Sequence, residues 1–262
     1  MRVAVYEYFS AIGAFHSPAW IEGDSMLKAV VEDLKKAGYE AQIADSIPPK
    51  RPADLVIIIA PSIGRTLYNL VKSCEEEGLE VVDSPSTAVF LASDKALLYR
   101  NLELQGVKVP KTVVSNFDEG LKSIERALTA YGKAVVKPAD GDGCTGLSLV
   151  SKFDEAPIAL STVKQSSRLP YFVVQEYVEG VNLSVCVLAS DDVVVPLSVN
   201  MQKVYLKGPR EPSAYVGSVV PYQEDDKVLQ VALRAVRSLG HVKGFFGVDV
   251  VLKGDQPSVV EV

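Results

Sequence analysis

Histidine is nearly absent from this chain: His16 and His241 are the only two in 262 residues. A histidine-rich metal centre, or a nucleophile driven by an imidazole base, is therefore not expected. Cysteine is almost as scarce. Cys74, Cys144 and Cys186 are odd in number and far apart, which gives neither a disulfide framework nor a metal-binding spacing. No leader-like segment opens the chain, so a reducing cytosol is the expected compartment. Long apolar runs are missing as well. The longest, Leu55 to Ala60, falls far short of the ~20 residues that cross a bilayer, and no membrane partner is expected. Positive charge is not in excess either. Lys and Arg total 27 against 33 Asp and Glu, a net charge of −6, which argues against a nucleic-acid footprint. A nucleotide remains compatible, because it needs only a few local cations. Internal repeats and low-complexity segments are also lacking.

The composition that remains is that of a packed protein: 48% hydrophobic and 23% charged, with length for one large domain or two to three small ones. Residues 2–8 and 54–60 read as continuous apolar strands. Between them, Leu27, Val30, Val31 and Leu34 mark a helix from about Asp24 that stops at Gly38, after a loop holding Gly13 and Gly23. Leu67, Leu70, Val71 and Cys74 mark a second helix, and Glu80-Val81-Val82 a third strand. Strand and helix in alternation imply a small parallel sheet. Ligands of such sheets sit beyond the carboxyl ends of the strands. Glu7-Tyr8 and Pro61-Ser62-Ile63-Gly64-Arg65 lie there, as substrate contacts or as ordinary loops.

Farther on, Ser93-Asp94-Lys95 opens a helix that closes at Gly106. Residues 112–115 form a strand, Asp118 caps a helix stopped by Gly132, and residues 134–136 and 171–177 are strands again. This stretch reads as an antiparallel α+β piece. From Leu183 onward a hairpin turns at Ser190-Asp191-Asp192. A loop follows at residues 207–212, then a helix whose stripe is Val228, Val231, Ala232, Ala235, Val236 and Leu239. A closing hairpin takes residues 246–252 and 257–262.

Two local patterns carry chemistry. The first is Lys137-Pro138-Ala139-Asp140-Gly141-Asp142-Gly143-Cys144-Thr145-Gly146, between two short strands. Glycines allow a sharp bend and close approach, and successive N–H groups can cradle phosphate, with Lys137 at the strand end. A hairpin with a Gly-rich loop is the plain alternative. No Gly-Lys-Ser/Thr closes the loop, so it is not a Walker A motif. Cys144 has no evident histidine to activate it as a nucleophile. The second pattern is Asp249 and Glu261, which interrupt the two apolar strands of the closing hairpin. Buried carboxylates are costly unless paired, protonated or bound to a cation. Two on adjacent strands can converge, and oxygen ligation suits Mg²⁺; carboxylates at a wet strand edge are the alternative.

The ordered set Ser93-Asp94-Lys95, Val135-Val136-Lys137-Pro138, the Gly-rich loop, Gln175-Glu176-Tyr177-Val178-Glu179-Gly180, then Gly247-Val248-Asp249 with Glu261 resembles the ATP-grasp superfamily over the whole chain. The resemblance implies an α/β fold that becomes α+β in the C-terminal part. It divides the chain into a Rossmann-like pre-ATP-grasp domain (1–90), a linker helix with a small ATP-grasp subdomain (91–178) and a large subdomain (179–262). Carried over by position, Lys95 and Lys137 would contact ATP phosphates. Gly141, Gly143, Thr145 and Gly146 would close over them. Gln175, Glu176 and Val178 would hold the adenine, and Asn182 takes the ribose position, often a Glu in the family. Asp249 and Glu261 would bind Mg²⁺ or Mn²⁺. Asn200, Lys203 and Arg210 lie on the segment facing the acyl site, where they would bind a carboxylate or acylphosphate; for Arg210 a solvated loop is the alternative. The family's metal motif runs Glu-x-Asn, and this sequence stops at Val262, one residue before the Asn, so a continuation is expected.

The implied partners are a small-molecule carboxylate and an amine, with no nucleic acid and no membrane; a homo-oligomer stays open. The implied activity is ATP-dependent ligation through an acylphosphate. Another ATP-grasp enzyme, such as a peptide ligase or a carbamoyl-phosphate-synthase-like kinase, and an ATP-binding regulatory module are the alternatives. A closer likeness to one ligase of the superfamily rests on Glu7-Tyr8, Gly13 and Glu22-Gly23, on Ala60-Pro61 with residues 67–70, and on residues 200–202 with 215–217 and Val220-Pro221.

Overall fold

The computed structural model describes residues 1–262 except Asp142, Asp191, Asp192 and Glu224. The turn expected at Asp191-Asp192 and the Asp142 position of the Gly-rich loop thus lie outside the described residues. The chain divides into two compact units: Met1–Phe90 with His241–Gly244, and Leu91–Gly240 with Phe245–Val262.

The first unit contains β1 (Arg2–Glu7), α1 (Tyr8–Ala11), α2 (Pro18–Lys36), β2 (Glu40–Ala44), β3 (Leu55–Ile59), α3 (Thr66–Glu76) and the start of α4 (Ser86–Ala92). The strands form a parallel sheet in the order β2-β1-β3. Val3 and Val5 pack with Leu27 and Val31 of α2, while Tyr6, Val56 and Ile58 pack with Val71 and Cys74 of α3. Helices on both faces explain why β1 and β3 are apolar without alternation.

Helix α2 starts at Pro18, six residues ahead of the expected Asp24. Ser17 Oγ accepts from Trp20 N at 3.1 Å, and proline occupies the first turn, where its missing N–H costs nothing. Gly23 is consequently inside the helix rather than in a loop. The buried Glu7 carboxylate, which caps α1 by accepting from Phe9 N (3.0 Å) and Ser10 N (2.7 Å), packs so closely on Gly23 that a Cβ there would collide with it. The strand expected at Glu80-Val81-Val82 contracts to a single bridge, Val56 to Val81.

The second unit contains two antiparallel sheets. The smaller, in the order β4-β7-β5-β6, is built from β4 (Thr112–Asn116), β5 (Ala134–Pro138), β6 (Ser148–Val150) and β7 (Tyr171–Glu176). Helix α5 (Lys95–Leu104) precedes it. Helices α6 (Gly120–Tyr131) and α7 (Ala156–Ser166) cover one of its faces, where Val136, Phe172 and Val174 meet Ile124, Leu128, Ala159 and Val163. Helix α6 is not capped by Asp118: Asn116 Oδ1 accepts from Glu119 N at 2.8 Å and the helix begins at Gly120, pressed against Leu160.

The larger sheet, in the order β10-β9-β8-β11-β12, comprises β8 (Val181–Ser190), β9 (Val193–Tyr205), β10 (Ala214–Val219), β11 (Gly244–Lys253) and β12 (Gln256–Glu261). Along β8, Leu183, Val185, Val187 and Ala189 are buried, while Asn182, Ser184, Cys186 and Leu188 alternate with them on the other face. Helix α8 (Asp226–Arg237), capped by Asp225, packs its buried stripe of Val228, Val231, Ala232, Ala235 and Val236 on β8, β9 and β12. Among the described residues no helix is long and apolar enough to cross a membrane.

One carboxylate of the first unit is held against its chemistry. Asp83 Oδ2 accepts from Ile58 N at 3.0 Å, and burial pushes its carboxyl up to about 6. Because this value is raised, the associated stability is full below about pH 4, the ordinary aspartate value, and is lost as pH rises through about 6. Asp83→Asn keeps an acceptor for Ile58 N without the charge. It should raise stability by on the order of 1–2 kcal/mol at pH 8 and leave it nearly unchanged at pH 4, as read by urea unfolding at the two values.

Candidate functional site

A cavity of about 450 Å³ opens between the two sheets of the second unit. On β5, Ala134 and Val136 turn to the helices, so Val135 and Lys137 turn to the cavity. On the larger sheet, the face not covered by α8 supplies Asn182, Gln202, Asp249 and Glu261.

Lys95 stands at the first position of α5, fixed by two local devices. Asp94 caps the helix through Ala96 N and Leu97 N, and Lys95 N donates to Ala139 O at 2.8 Å. The Lys95 ammonium donates both to Gly141 O of the Gly-rich loop and to Glu261 Oε1, the latter at 2.7 Å. Lys137 is buried, with its Nζ 5.3 Å from the centre of the Tyr99 ring. Burial pushes its ammonium down to about 8, against the opposing pull of Glu261 and Asp249.

The Gly-rich loop takes left-handed backbone conformations at Gly143 (φ 58°), Cys144 (φ 64°) and Gly146 (φ 71°). A Cβ at Gly146 would also run into Ser166 of α7. Burial pushes the Cys144 thiol up, which holds it protonated and unsuited to nucleophilic attack.

Asp249 and Glu261 are opposite one another in the β11–β12 ladder. Asp249 Oδ1 accepts from Gln202 Nε2 at 3.0 Å, and Ser184 also hydrogen-bonds this carboxylate. Burial first, then repulsion by Glu261, pushes the Asp249 carboxyl up to about 6. A dication would relieve both effects. The pair offers only oxygen ligands, and the described residues hold no group of three His, Cys, Asp or Glu. Phosphate oxygens and water would have to complete the shell, which is how Mg²⁺ is commonly held; Mn²⁺ accepts the same donors. The residues present therefore fit a divalent ion bound together with a triphosphate.

The remaining sequence-derived residues divide into groups. Gln175, Glu176, Val178 and Asn182 line the cavity with Gly141 and Thr145. The Gln175 amide is engaged by the protein, donating to Thr112 Oγ1 at 2.9 Å and hydrogen-bonding the Tyr99 phenol. Glu176 N donates to Lys111 O at 2.8 Å. Among the described residues no protein hydrogen bond engages Val178, so its backbone groups are available to a ligand. Gly143 and Gly146 line a second cavity of about 410 Å³ together with Arg210; the two cavities share Cys144, Thr145 and Leu147. Asn200 is buried and lines neither cavity, with Nδ2 donating to Cys186 Sγ (3.2 Å) and Oδ1 without a partner among the described residues. Lys203 is exposed and points away from Gln202 and Val204, its neighbours on β9 that face the cavity. Sequence reading missed Gln202, legible only once the strand phase of β9 is known, and Tyr99, which falls one helical turn after Lys95.

With this geometry in view, residues 92–262 match the model of the ATP-grasp domain family, and the chain belongs to that family. It is 28% identical over 231 residues to the tyramine–L-glutamate ligase of Methanocaldococcus jannaschii, covering 87% of this chain and 61% of that protein. It is 27% identical over 176 residues to a D-alanine–D-alanine ligase of Gloeobacter violaceus, covering 64% of this chain and 57% of that protein. The chain thus spans about three fifths of the length of these curated relatives. Among solved structures, an ATP-grasp superfamily protein from Archaeoglobus fulgidus superimposes with a TM-score of 0.70 at 26% identity, over 100% of this chain and 79% of that one. The expected ATP-grasp fold is borne out.

The raised Asp249 carboxyl would make the affinity for a bound metal depend on pH. Below about pH 6 a bound dication must displace a proton from Asp249. Mn²⁺ affinity, titrated by electron paramagnetic resonance with a non-hydrolysable ATP analogue present, should fall by up to about tenfold per unit below pH 6 and level off above pH 7. Asp249→Asn should lose both the affinity and its pH dependence.

Proposed function

We propose that this chain is an ADP-forming carboxylate–amine ligase. The observation that carries the reading is the convergence of Lys95, Lys137, a Gly-rich loop and two registered carboxylates on one cavity. ATP would lie there with its adenine against the Val178 backbone, its ribose near Asn182 and its phosphates beneath residues 141–146. A substrate carboxylate oxygen attacks the γ-phosphorus, the bond to ADP breaks, and an acylphosphate forms. An amine nitrogen then attacks the acyl carbon, loses a proton and expels phosphate, leaving an amide.

The protein's share is positioning and charge neutralisation. Lys137 meets the phosphates from β5. Lys95 exchanges the Glu261 carboxylate for a phosphate oxygen. A divalent ion held by Asp249 and Glu261 would neutralise phosphate charge as it builds. Arg210, beside the Gly-rich loop, is the residue this reading assigns to the acid or its acylphosphate; Asn200 and Lys203, which line neither cavity, receive no contact in it.

For the particular substrates we favour the γ-carboxylate of glutamate and tyramine, as in the methanofuran pathway. The 28% identity to tyramine–L-glutamate ligase across most of this chain supports that choice. The D-alanine–D-alanine ligase relative supports a dipeptide ligase as the second reading.

ADP release measured with glutamate and tyramine, each alone and together, tests the proposal. Release requiring both supports the ligase, and release with glutamate alone points to an acyl kinase. Release with D-alanine instead points to the dipeptide reaction. ATP binding without release under any condition leaves a regulatory module. Lys137→Ala should lower amide formation by at least ~100-fold, the usual scale for losing a group that stabilises transition-state charge. Wild-type turnover in that variant would remove Lys137 from the site.

A further inference from the structure

The β11–β12 ladder is irregular at the point where its carboxylates meet. Val250 pairs with Val259, yet the neighbouring Asp249 pairs with Glu261, so Val260 is an extra residue in β12. A bulge of this kind re-aims the side chain that follows it. Val259 is fully buried with Val250 on the core side of the sheet. Strict alternation would put Glu261 on the same side as Val259, in the core. The extra residue turns it instead to the cavity face, beside Asp249.

An unpaired bulge carbonyl needs a partner. Val260 O has one from outside its own sheet: the Tyr99 hydroxyl donates to it at 2.6 Å. Tyr99 is buried, lies one turn along α5 from Lys95, and has the Gln175 side chain hydrogen-bonded to its phenol. Its ring faces the Lys137 ammonium at 5.3 Å. A single side chain thus touches the strand that carries Lys137, the strand that carries Gln175 and the bulge that aims Glu261.

We propose that Tyr99 is a positioning residue for the divalent-metal site, its hydroxyl holding the Val260 bulge that directs Glu261 toward Asp249. The inference rests on the nucleotide–metal reading of the cavity. The hydroxyl and the ring act on different partners, so they separate by substitution. Tyr99→Phe keeps the ring against Lys137 and removes the hydroxyl's bonds to the bulge and to Gln175, whose amide keeps its bond to Thr112 Oγ1.

The test uses the whole chain with Mn²⁺ and a non-hydrolysable ATP analogue. Analogue affinity is measured in EDTA by calorimetry, and Mn²⁺ affinity in the presence of analogue by electron paramagnetic resonance. Tyr99→Phe should weaken Mn²⁺ about tenfold while changing metal-free analogue affinity by less than about twofold, a split that general loosening of the fold would not produce. In a Glu261→Gln background, where the aimed carboxylate is gone, Tyr99→Phe should have no further effect on Mn²⁺. Unchanged Mn²⁺ affinity in Tyr99→Phe overturns the inference. So do equal losses of metal and analogue, or losses that add fully to those of Glu261→Gln. If the unsubstituted chain binds no analogue, the reading of the cavity fails and the inference falls with it; binding of analogue with any of the other adverse outcomes overturns the role of Tyr99 alone.

Discussion

The Lys95 ammonium ties together three segments that are far apart in the chain. It donates to the Gly141 carbonyl of the Gly-rich loop and to the Glu261 carboxylate at the end of β12, from a helix whose first turn Asp94 holds in place. Remove that point and the loop, the acidic hairpin and the helix no longer share a partner. An ion pair of this kind is a weak source of stability, because desolvating the charges offsets most of their attraction. Its value is geometric. It brings the Gly-rich loop and a registered pair of carboxylates to one cavity.

The larger sheet shows how such a cavity coexists with a stable core. Along β8 the core face is valine, leucine and alanine (Leu183, Val185, Val187, Ala189), while Asn182, Ser184, Cys186 and Leu188 take the other face, from which Asn182 lines the cavity. Burial of the α8 stripe stabilises the sheet by roughly 1.5–3 kcal/mol for each large aliphatic side chain removed from water. That leaves the opposite face free to carry costly groups. Asp249 is one of them, and its Gln202 and Ser184 partners limit the cost without cancelling it.

Much of this was legible in the sequence, for identifiable reasons. The α8 stripe has helical period, β1 and β3 are unbroken apolar runs, and Asp249 and Glu261 stand out because each interrupts an apolar strand. What escaped depended on partners distant in sequence. Gly23 looked like a loop residue because nothing nearby shows that the Glu7 carboxylate needs its space. Strand β2, with sequence Glu-Ala-Gln-Ile-Ala, has only a short alternation whose Ile43 is exposed, and it is held by its pairing with β1. Asn200 and Lys203 looked alike as polar residues on one segment, but the phase of β9 buries the first and exposes the second, and it is Gln202 that faces the cavity. Tyr99 carries no local mark at all; its role exists only where α5, β5, β7 and β12 meet.

The electrostatics of the cavity follow from one cause acting on opposite charges. Burial pushes Lys137 down toward 8 and Asp249 up toward 6, so protein groups alone favour a site with less charge of either sign. In the proposed reading, a triphosphate would supply the anion that keeps Lys137 protonated, and a dication would supply the charge that keeps Asp249 ionised. Each ligand would thereby offset the desolvation of the protein group of opposite charge. Neither is matched well by itself: the phosphates would face Asp249 and Glu261 unscreened, and the metal would face Lys95 and Lys137. On the proposed reading the arrangement would favour the metal–nucleotide complex over either component, because only the complex presents both signs of charge to a wall that already contains both.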